Sequence, residues 1–354
     1  MHIGVLFGGK SVEHEISIIT GMQVLKNINT SKYKVTPIYL TKNNEFLIGK
    51  NYDTIETFKK PVKGKKVYFK KGKIGNIFFK KIDCIVNCVH GKNVEGGEVA
   101  GFFNILGIPN TSIDVLGASI CQDKAIIKTI LEKEKIPVVP YTTILKKDYR
   151  DNKEKVLTIL KNISYPLIIK PSTLGSSIGI KTVKDEMELL NAINYAFRYD
   201  DKLIVEKKLE KIREFNCAII NDNEISLIEE ISFKDEIFTF SDKYESKESK
   251  RIIPADIPIE LEKLIYDYTL KTAKIINNKG VIRIDYLYDN NTLFVNEVNT
   301  IPGALAYYLF EPKNIFFDSL IDKLITNAIY DHYTKNQKLN VFESNVLNMR
   351  GIKK

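Results

Sequence analysis

No stretch of this chain approaches the ~20 consecutive apolar residues that a membrane-spanning helix needs, so a protein built on such helices is excluded. The opening residues HIGVLF read as a buried strand and lack the basic and apolar regions of a signal peptide, which makes the cytoplasm the expected location. Cysteine is scarce: Cys84, Cys88, Cys121 and Cys217 lie among apolar residues, and a disulfide framework is not expected in a reducing compartment. The C-x-x-x-C-x-H spacing of Cys84, Cys88 and His90 matches no common zinc module, and IDCIVNCVH reads as a buried strand instead. Arginine is sparse, and no nucleic-acid-binding motif is present.

What is abundant is lysine. The net charge is +9, but residues 59–81 (KKPVKGKKVYFKKGKIGNIFFKK) carry ten lysines and no acid, so the rest of the chain sums to −1. Alternation of Val, Tyr and Phe within that run predicts a solvated β-hairpin with an apolar inner face rather than a nucleic-acid-binding surface. With 354 residues, of which 44% are hydrophobic and 27% charged, the chain suits two or three globular domains.

Strand-like and helix-like runs alternate in the first third: HIGVLF, a helix near 15–28, KVTPIYL, the lysine hairpin and IDCIVNCVHG. This pattern predicts an α/β layer with a parallel sheet. One helix is predicted over 119–135, ended by Pro137 and Pro140. Strands YPLIIK and DKLIVEK bracket a helix near 184–198. EFNCAII, EISLIEEI, a polar segment at 241–251 and a helix near 257–278 follow. GVIRIDYLY and NTLFVNEVN are joined by a DNN turn, and a last amphipathic helix runs near 315–334.

GVLFGGKS, Gly4 to Ser11, fits the phosphate-loop spelling G-x-x-x-x-G-K-[ST]. A phosphate loop needs a complete strand before its first glycine. Here Gly4 falls inside the strand, so only a strand, a GGKS turn and a helix from VEHEIS remain. The turn can still bind an anionic group, with Glu13 and Glu15 suiting the positive end of the helix dipole.

Three clusters carry more chemistry. KPSTLGSSIGI (170–180) follows a buried-looking strand and forms a donor-rich loop able to cover phosphates, led by a lysine that needs an anion to justify its burial. In RID and NEVNTIPG, strand alternation puts Arg283 and Asp285 on one face, and Glu297 and Asn299 on one face of the partner strand. Those oxygens suit Mg²⁺ bridging nucleotide phosphates; a salt-bridged solvent face is the plainer alternative. HGKNVEGGEVAG (90–101) stands at a strand's C-terminal end, where open α/β sheets bind ligands, or is simply a tight loop.

Together these runs resemble the D-alanine–D-alanine ligases of the ATP-grasp superfamily. The resemblance covers residues 3–312 in the family's order: FGGKSVEHEIS, HGKNVEGGEVAG, DKAIIK, KPSTLGSSIGI, EKKLEKIREF, DKY with IPAD after it, RIDY and EVNTIPG. It implies an ATP-grasp fold with a Rossmann-like N-terminal α/β domain (1–115), a small central α+β domain (116–205) and a C-terminal α+β catalytic domain (206–335), before a polar tail (336–354). It implies ATP and two Mg²⁺ ions as cofactors, with Mn²⁺ able to replace them, and a homodimer; no nucleic-acid or membrane partner is expected. By that resemblance Glu13 holds the ammonium of the first D-alanine, and His90, Tyr308 and Leu309 face substrate. Lys124 and Lys170 bind phosphates, with Ser176 and Ser177 in the covering loop. Glu206, Lys207 and Leu209 hold adenine, and Glu214 the ribose. Lys243 and Tyr244 ride a closing loop, with Tyr244, Ser176 and Glu13 forming a hydrogen-bonded triad. Asp285, Glu297 and Asn299 ligate the metal, while Arg283 and the N–H of Gly303 meet the oxyanion.

The sequence departs from the family in the acceptor half. After EVNTIPG the run is ALAYYLFEP, with Leu305 where Thr is usual and Tyr308 where a serine helps bind the second substrate's carboxylate. Glu95-Gly96-Gly97 stands for Glu-Asp-Gly, Ala100 for Gln, and Asn110-Thr111-Ser112 for an aromatic-and-glycine turn. Joining of two D-alanines for peptidoglycan is therefore expected first. A ligase with another acceptor (another D-amino acid, a 2-hydroxy acid or a small amine) is the alternative. A polyanion-binding protein and a nucleotide-binding protein without turnover are the readings from other classes.

Overall fold

A computed structural model of the chain describes residues 1–210, 212–232, 250–339 and 341–344. The first sheet grows from His2–Gly8, whose six residues after His2 are all buried. That strand lies between Lys34–Leu40 and Cys84–Asn87, parallel to both. Phe46–Ile48, Lys65–Lys70, Lys73–Gly75 and Phe79–Lys81 extend the sheet antiparallel on one side. The sheet is thus mixed rather than parallel, and the lysine segment supplies three short strands rather than one hairpin. Its lysines stay outward while Val67 and Ile74 face the core. Gly4 sits mid-strand, where an added Cβ would lie 2.7 Å from the tips of Ile38 and Ile85. The first five residues of the phosphate-loop spelling are therefore buried sheet, and only Gly9-Lys10-Ser11 form the turn.

The second sheet runs Lys181–Val183, Leu167–Pro171, Lys202–Lys207 and Tyr141–Leu145, all antiparallel. The helix Glu186–Ala196 covers it, burying Leu189, Ala192, Ile193 and Ala196 at helical spacing. The single helix predicted over 119–135 is in fact two, Val115–Gln122 and Lys124–Lys133. Asp123 divides them: its extended backbone stops the first, and its carboxylate accepts from Ala125 and Ile126 N–H to cap the second.

The third sheet has the order Lys250–Ile252, Glu224–Ser232, Arg213–Ile220, Val281–Asp289 and Thr292–Asn299, again antiparallel. The DNN turn closes its last hairpin with Asn290 and Asn291 both left-handed, at φ 46° and 64°; this is the geometry that favours asparagine there. Helix Ile259–Ile275 packs on this sheet, and Phe317–Asn336 packs back on the first. All four cysteines are buried and free. Among the described residues, no helix is long and apolar enough to cross a membrane.

Candidate active site

A cavity of about 400 Å³ is lined by the third sheet and the turn after it, the helix after His2–Gly8, the loop after Cys84–Asn87 and the glycine–serine loop. Gly8 and Gly9, both at φ 99°, turn the chain out of the first strand. Helix His14–Asn27 then begins, with Glu13 at its N-cap. Across the cavity Ser176 donates to Glu13 Oε1. A Cβ at Gly175 would come within 3.2 Å of both Glu13 oxygens, so the loop's close approach depends on glycine there. Ser176 and Ser177 take left-handed backbone, φ 52° and 57°, a strained state of the kind that clusters at ligand sites.

On the third sheet, Arg283 pairs with Asn299 and Asp285 with Glu297 across neighbouring strands, which brings all four to one face as alternation predicts. Arg283 grips Asp285 with two bonds, Nε to Oδ1 at 2.7 Å and Nη2 to Oδ2 at 2.9 Å. Asn299 Nδ2 reaches Asp285 Oδ2 at 3.0 Å. Glu297 receives Lys124 Nζ at 2.7 Å, and the same ammonium donates to the Leu174 carbonyl at 2.6 Å. Two carboxylates and an amide oxygen fit a hard divalent cation, with phosphate or water oxygens completing its shell. Here Arg283 and Lys124 neutralise those carboxylates.

Behind this face lies a buried charge triad. Glu206 Oε2 is 2.5 Å from Lys170 Nζ, and Glu206 Oε1 is 2.7 Å from Lys128 Nζ in an ion pair not aligned as a hydrogen bond. Burial opposes ionisation of Glu206, but Lys170 and Lys128 overcome it and hold its carboxyl below the usual range. Burial pushes the Lys128 ammonium down despite Glu206.

A second, half-buried acid ties the N-terminal loop to the C-terminal one. Glu95 accepts from Gly91 N at 2.8 Å, Ile301 N at 3.0 Å and Thr300 Oγ1 at 3.1 Å. Burial, with Glu13 nearby, raises its carboxyl to about 7. His90 is buried beside it with Nε2 2.9 Å from Thr20 Oγ1, and burial lowers its imidazole to about 4.

The predicted residues divide clearly. Glu13, His90, Ser176, Glu214, Arg283, Asp285, Glu297, Asn299, Gly303 and Tyr308 line the cavity. An added Cβ at Gly303 would meet nothing within 4 Å, so its backbone lies open. Lys124 and Lys170 stand behind the wall through Glu297 and Glu206. Lys207 ends its strand exposed, and Leu209 is half-buried beyond it; neither lines the cavity. Leu309, expected to face substrate, has no exposed surface, packs in the core with Phe310 and Leu320 and does not line the cavity. Lys243 and Tyr244 lie outside the described residues. The Tyr308 hydroxyl turns to Glu229 Oε2 at 3.3 Å. Sequence reasoning gave no role to Lys128, Arg251 or Glu229, and placed Glu95 only within the loop at 90–101. Only Lys128 carried a signal: it follows Lys124 by one helical turn on a face shared with Ala125, Ile127 and Leu131.

Two antiparallel sheets, joined where Lys170 reaches Asn296 at 3.4 Å and with lysines beside an acidic face, are the arrangement of an ATP-grasp enzyme. Family models described as "D-ala D-ala ligase N-terminus" and "D-ala D-ala ligase C-terminus" match residues 2–112 and 130–326. The chain is 39% identical to the D-alanine–D-alanine ligase of Thermosipho africanus over 99% of both chains. It is 36% identical to that of Caldicellulosiruptor bescii, over 93% of this chain and 95% of the relative. Among solved structures, the D-alanine–D-alanine ligase from Coxiella burnetii superposes with a TM-score of 0.83 at 27% identity, over 95% of this chain and 96% of that one. VanG D-Ala:D-Ser ligase from Enterococcus faecalis gives 0.81 at 30% identity, over 92% and 99%. The chain belongs to the D-alanine–D-alanine ligase family.

Proposed function

We propose that the chain joins two D-alanine molecules into D-alanyl-D-alanine at the expense of ATP, for peptidoglycan precursor synthesis in the cytoplasm. The observation that carries this reading is the contact of Glu13 with Ser176 beside the Arg283–Asp285–Glu297–Asn299 face. It sets an amino-acid-sized anionic anchor against a phosphate-covering loop in one cavity. Named ligases that match nearly the whole chain support it, as does the ATP complex of the Bacillus anthracis D-alanine–D-alanine ligase, at 26% identity and a TM-score of 0.72 over 95% of this chain and 99% of that one.

In this reading Glu13 holds the first D-alanine by its ammonium, with His90 neutral beside it. A carboxylate oxygen of that substrate attacks the γ-phosphorus of ATP, the bond to ADP breaks, and an acyl phosphate forms. The amine of the second substrate, its ammonium proton lost to water, adds to the acyl carbon; the nitrogen then gives up a second proton and phosphate leaves with the bonding pair. Lys124 and Lys170 neutralise phosphate charge, and Ser176 and Ser177 close over it. Glu206, Lys207 and Leu209 frame adenine, and Glu214 the ribose. Asp285, Glu297 and Asn299 would hold two Mg²⁺, or Mn²⁺, whose role when bound is to offset charge on the transferring phosphoryl group. Arg283 and the Gly303 N–H meet the tetrahedral oxyanion. Domain limits near 115, 205 and 335, and a homodimer, are part of the same proposal.

Phosphate release from ATP and Mg²⁺ with D-alanine alone, then with D-alanine against a panel of acceptors, tests it, with product mass read each time. D-alanyl-D-alanine from D-alanine alone is the expected result. A mixed product without the dipeptide would replace the acceptor, and no product with any pair would end the ligase reading.

A further inference from the structure

The acceptor half of the cavity contains a cation that the family resemblance does not account for. Arg251 lies on the short strand Lys250–Ile252, where pairing with Ile231 fixes its backbone to the third sheet. Its Nη1 is 3.3 Å from Glu229 Oε1, and its guanidinium carbon is 5.6 Å from the centre of the Tyr308 ring. Glu229 has no exposed surface, and its other oxygen accepts from Asn216 Nδ2 at 2.9 Å and the Tyr308 hydroxyl at 3.3 Å. Arg251 keeps 48% of its side chain exposed and lines the cavity together with Arg283, Gly303 and Tyr308.

The donors in this corner can be counted. Tyr308 has one hydroxyl proton, and it is directed at Glu229. Arg283 uses Nε and Nη2 on Asp285. Arg251 has five N–H donors and, among the described residues, a single 3.3 Å contact. Its planar fork matches a carboxylate in two-point geometry. We infer that Arg251 binds the carboxylate of the second substrate, the task that tyrosine at position 308 leaves open. Tyr308 and Glu229 are positioning residues that hold the guanidinium at the cavity wall. This rests on the ligase reading and narrows it: the acceptor is a small α-amino or α-hydroxy carboxylate, and an amine without a carboxylate is rejected.

The test uses the full chain with ATP, Mg²⁺ and D-alanine, and compares wild type with Arg251→Met, Arg251→Lys and Tyr308→Phe. First-site and second-site KM are separated, and D-alaninol, which lacks the carboxylate, competes as acceptor. Loss of a charged hydrogen bond predicts a second-site KM raised by about 10–100-fold in Arg251→Met, a similar fall in preference for D-alanine over D-alaninol, and partial recovery in Arg251→Lys. First-site and ATP KM stay within about threefold, and Tyr308→Phe has a smaller effect of the same kind. A second-site KM within about threefold with unchanged preference overturns the inference, as does a parallel rise at both sites, which would mark a structural role. Wild type that makes no dipeptide but accepts another small carboxylate sinks the D-alanine reading; a KM for that acceptor raised about 10-fold or more in Arg251→Met then supports the inference, and one within about threefold overturns it. Wild type that prefers D-alaninol, or ligates nothing, overturns both.

Discussion

Glu206→Gln tests the electrostatic architecture most directly. One buried carboxylate stands between two ammonium groups, 2.5 Å from Lys170 and 2.7 Å from Lys128, with both Glu206 and Lys128 side chains only 2% exposed. Amidation leaves two buried cations facing each other without a counter-charge. Removing one partner of a buried pair costs about 3–5 kcal/mol, and this site loses the anion shared by two pairs, so the upper part of that range is expected. Lys128→Met is different. It removes the surplus cation, keeps the volume and leaves Lys170 with Glu206, so its cost should lie within about 1 kcal/mol of zero.

The pH dependence sharpens the test. A lysine whose folded pKa is depressed, as burial already makes Lys128, binds its proton more readily when unfolded. Stability therefore rises with pH between the folded value and the unfolded value near 10.5. Loss of Glu206 removes the charge that opposes this depression and widens that window, so the gap between Glu206→Gln and wild type should narrow as pH rises from 7 to 10. Urea unfolding followed by circular dichroism at pH 7, 8, 9 and 10 measures it. Equal stability of Glu206→Gln and wild type at pH 7, a gap that does not narrow, or a Lys128→Met more damaging than Glu206→Gln would each refute the reasoning.

Lys170→Ala, Arg283→Ala and Glu297→Ala should each lower turnover by at least about 100-fold, the usual loss when one preorganised charge or donor is removed, with unchanged circular dichroism; near-normal phosphate release in any one removes that residue's role. Gly4→Ala pushes a methyl against Ile38 and Ile85 at 2.7 Å, an overpacking cost of about 1–3 kcal/mol. It should leave the ATP KM of the folded protein unchanged, whereas a true phosphate loop would lose nucleotide. His90 and Glu95 pull stability in opposite directions. The folded His90, at about 4, stays unprotonated while the unfolded one binds a proton below 6.5, so it lowers stability as pH falls. Glu95, at about 7 against 4.5, binds its proton earlier when folded and raises stability over the same fall. The two nearly cancel between about pH 4.5 and 6.5, so His90→Asn should become more stable, relative to wild type, as pH drops from 6.5 to 5. A flat difference in urea midpoints over that range would show that His90 is not held neutral.

The sequence alone determined the parts that depend on residues near one another. Alternation in VIRID and NEVN sets which side chains share a face whatever the strands pack against, and the asparagine pair closes their hairpin by its own left-handed preference. The unbroken apolar run of HIGVLF makes Gly4 a strand residue, and the ordered motifs of RIDY and EVNTIPG carry the family. Tertiary structure decided everything that waits on chain closure. Asp123 divides a helix because it is recruited as a cap while also meeting Ser172 and Lys202. Leu309 lies in the core because the single helical turn Tyr307–Phe310 packs against Phe317–Asn336. Glu95 finds Thr300 at a separation of 205 residues, and Arg251, Glu229 and Tyr308 meet only when the edge of the third sheet is laid against the last turn of the site. Periodicity records which way a side chain faces; its partner is fixed by the packing of distant segments, where desolvation makes each charge choose a neighbour.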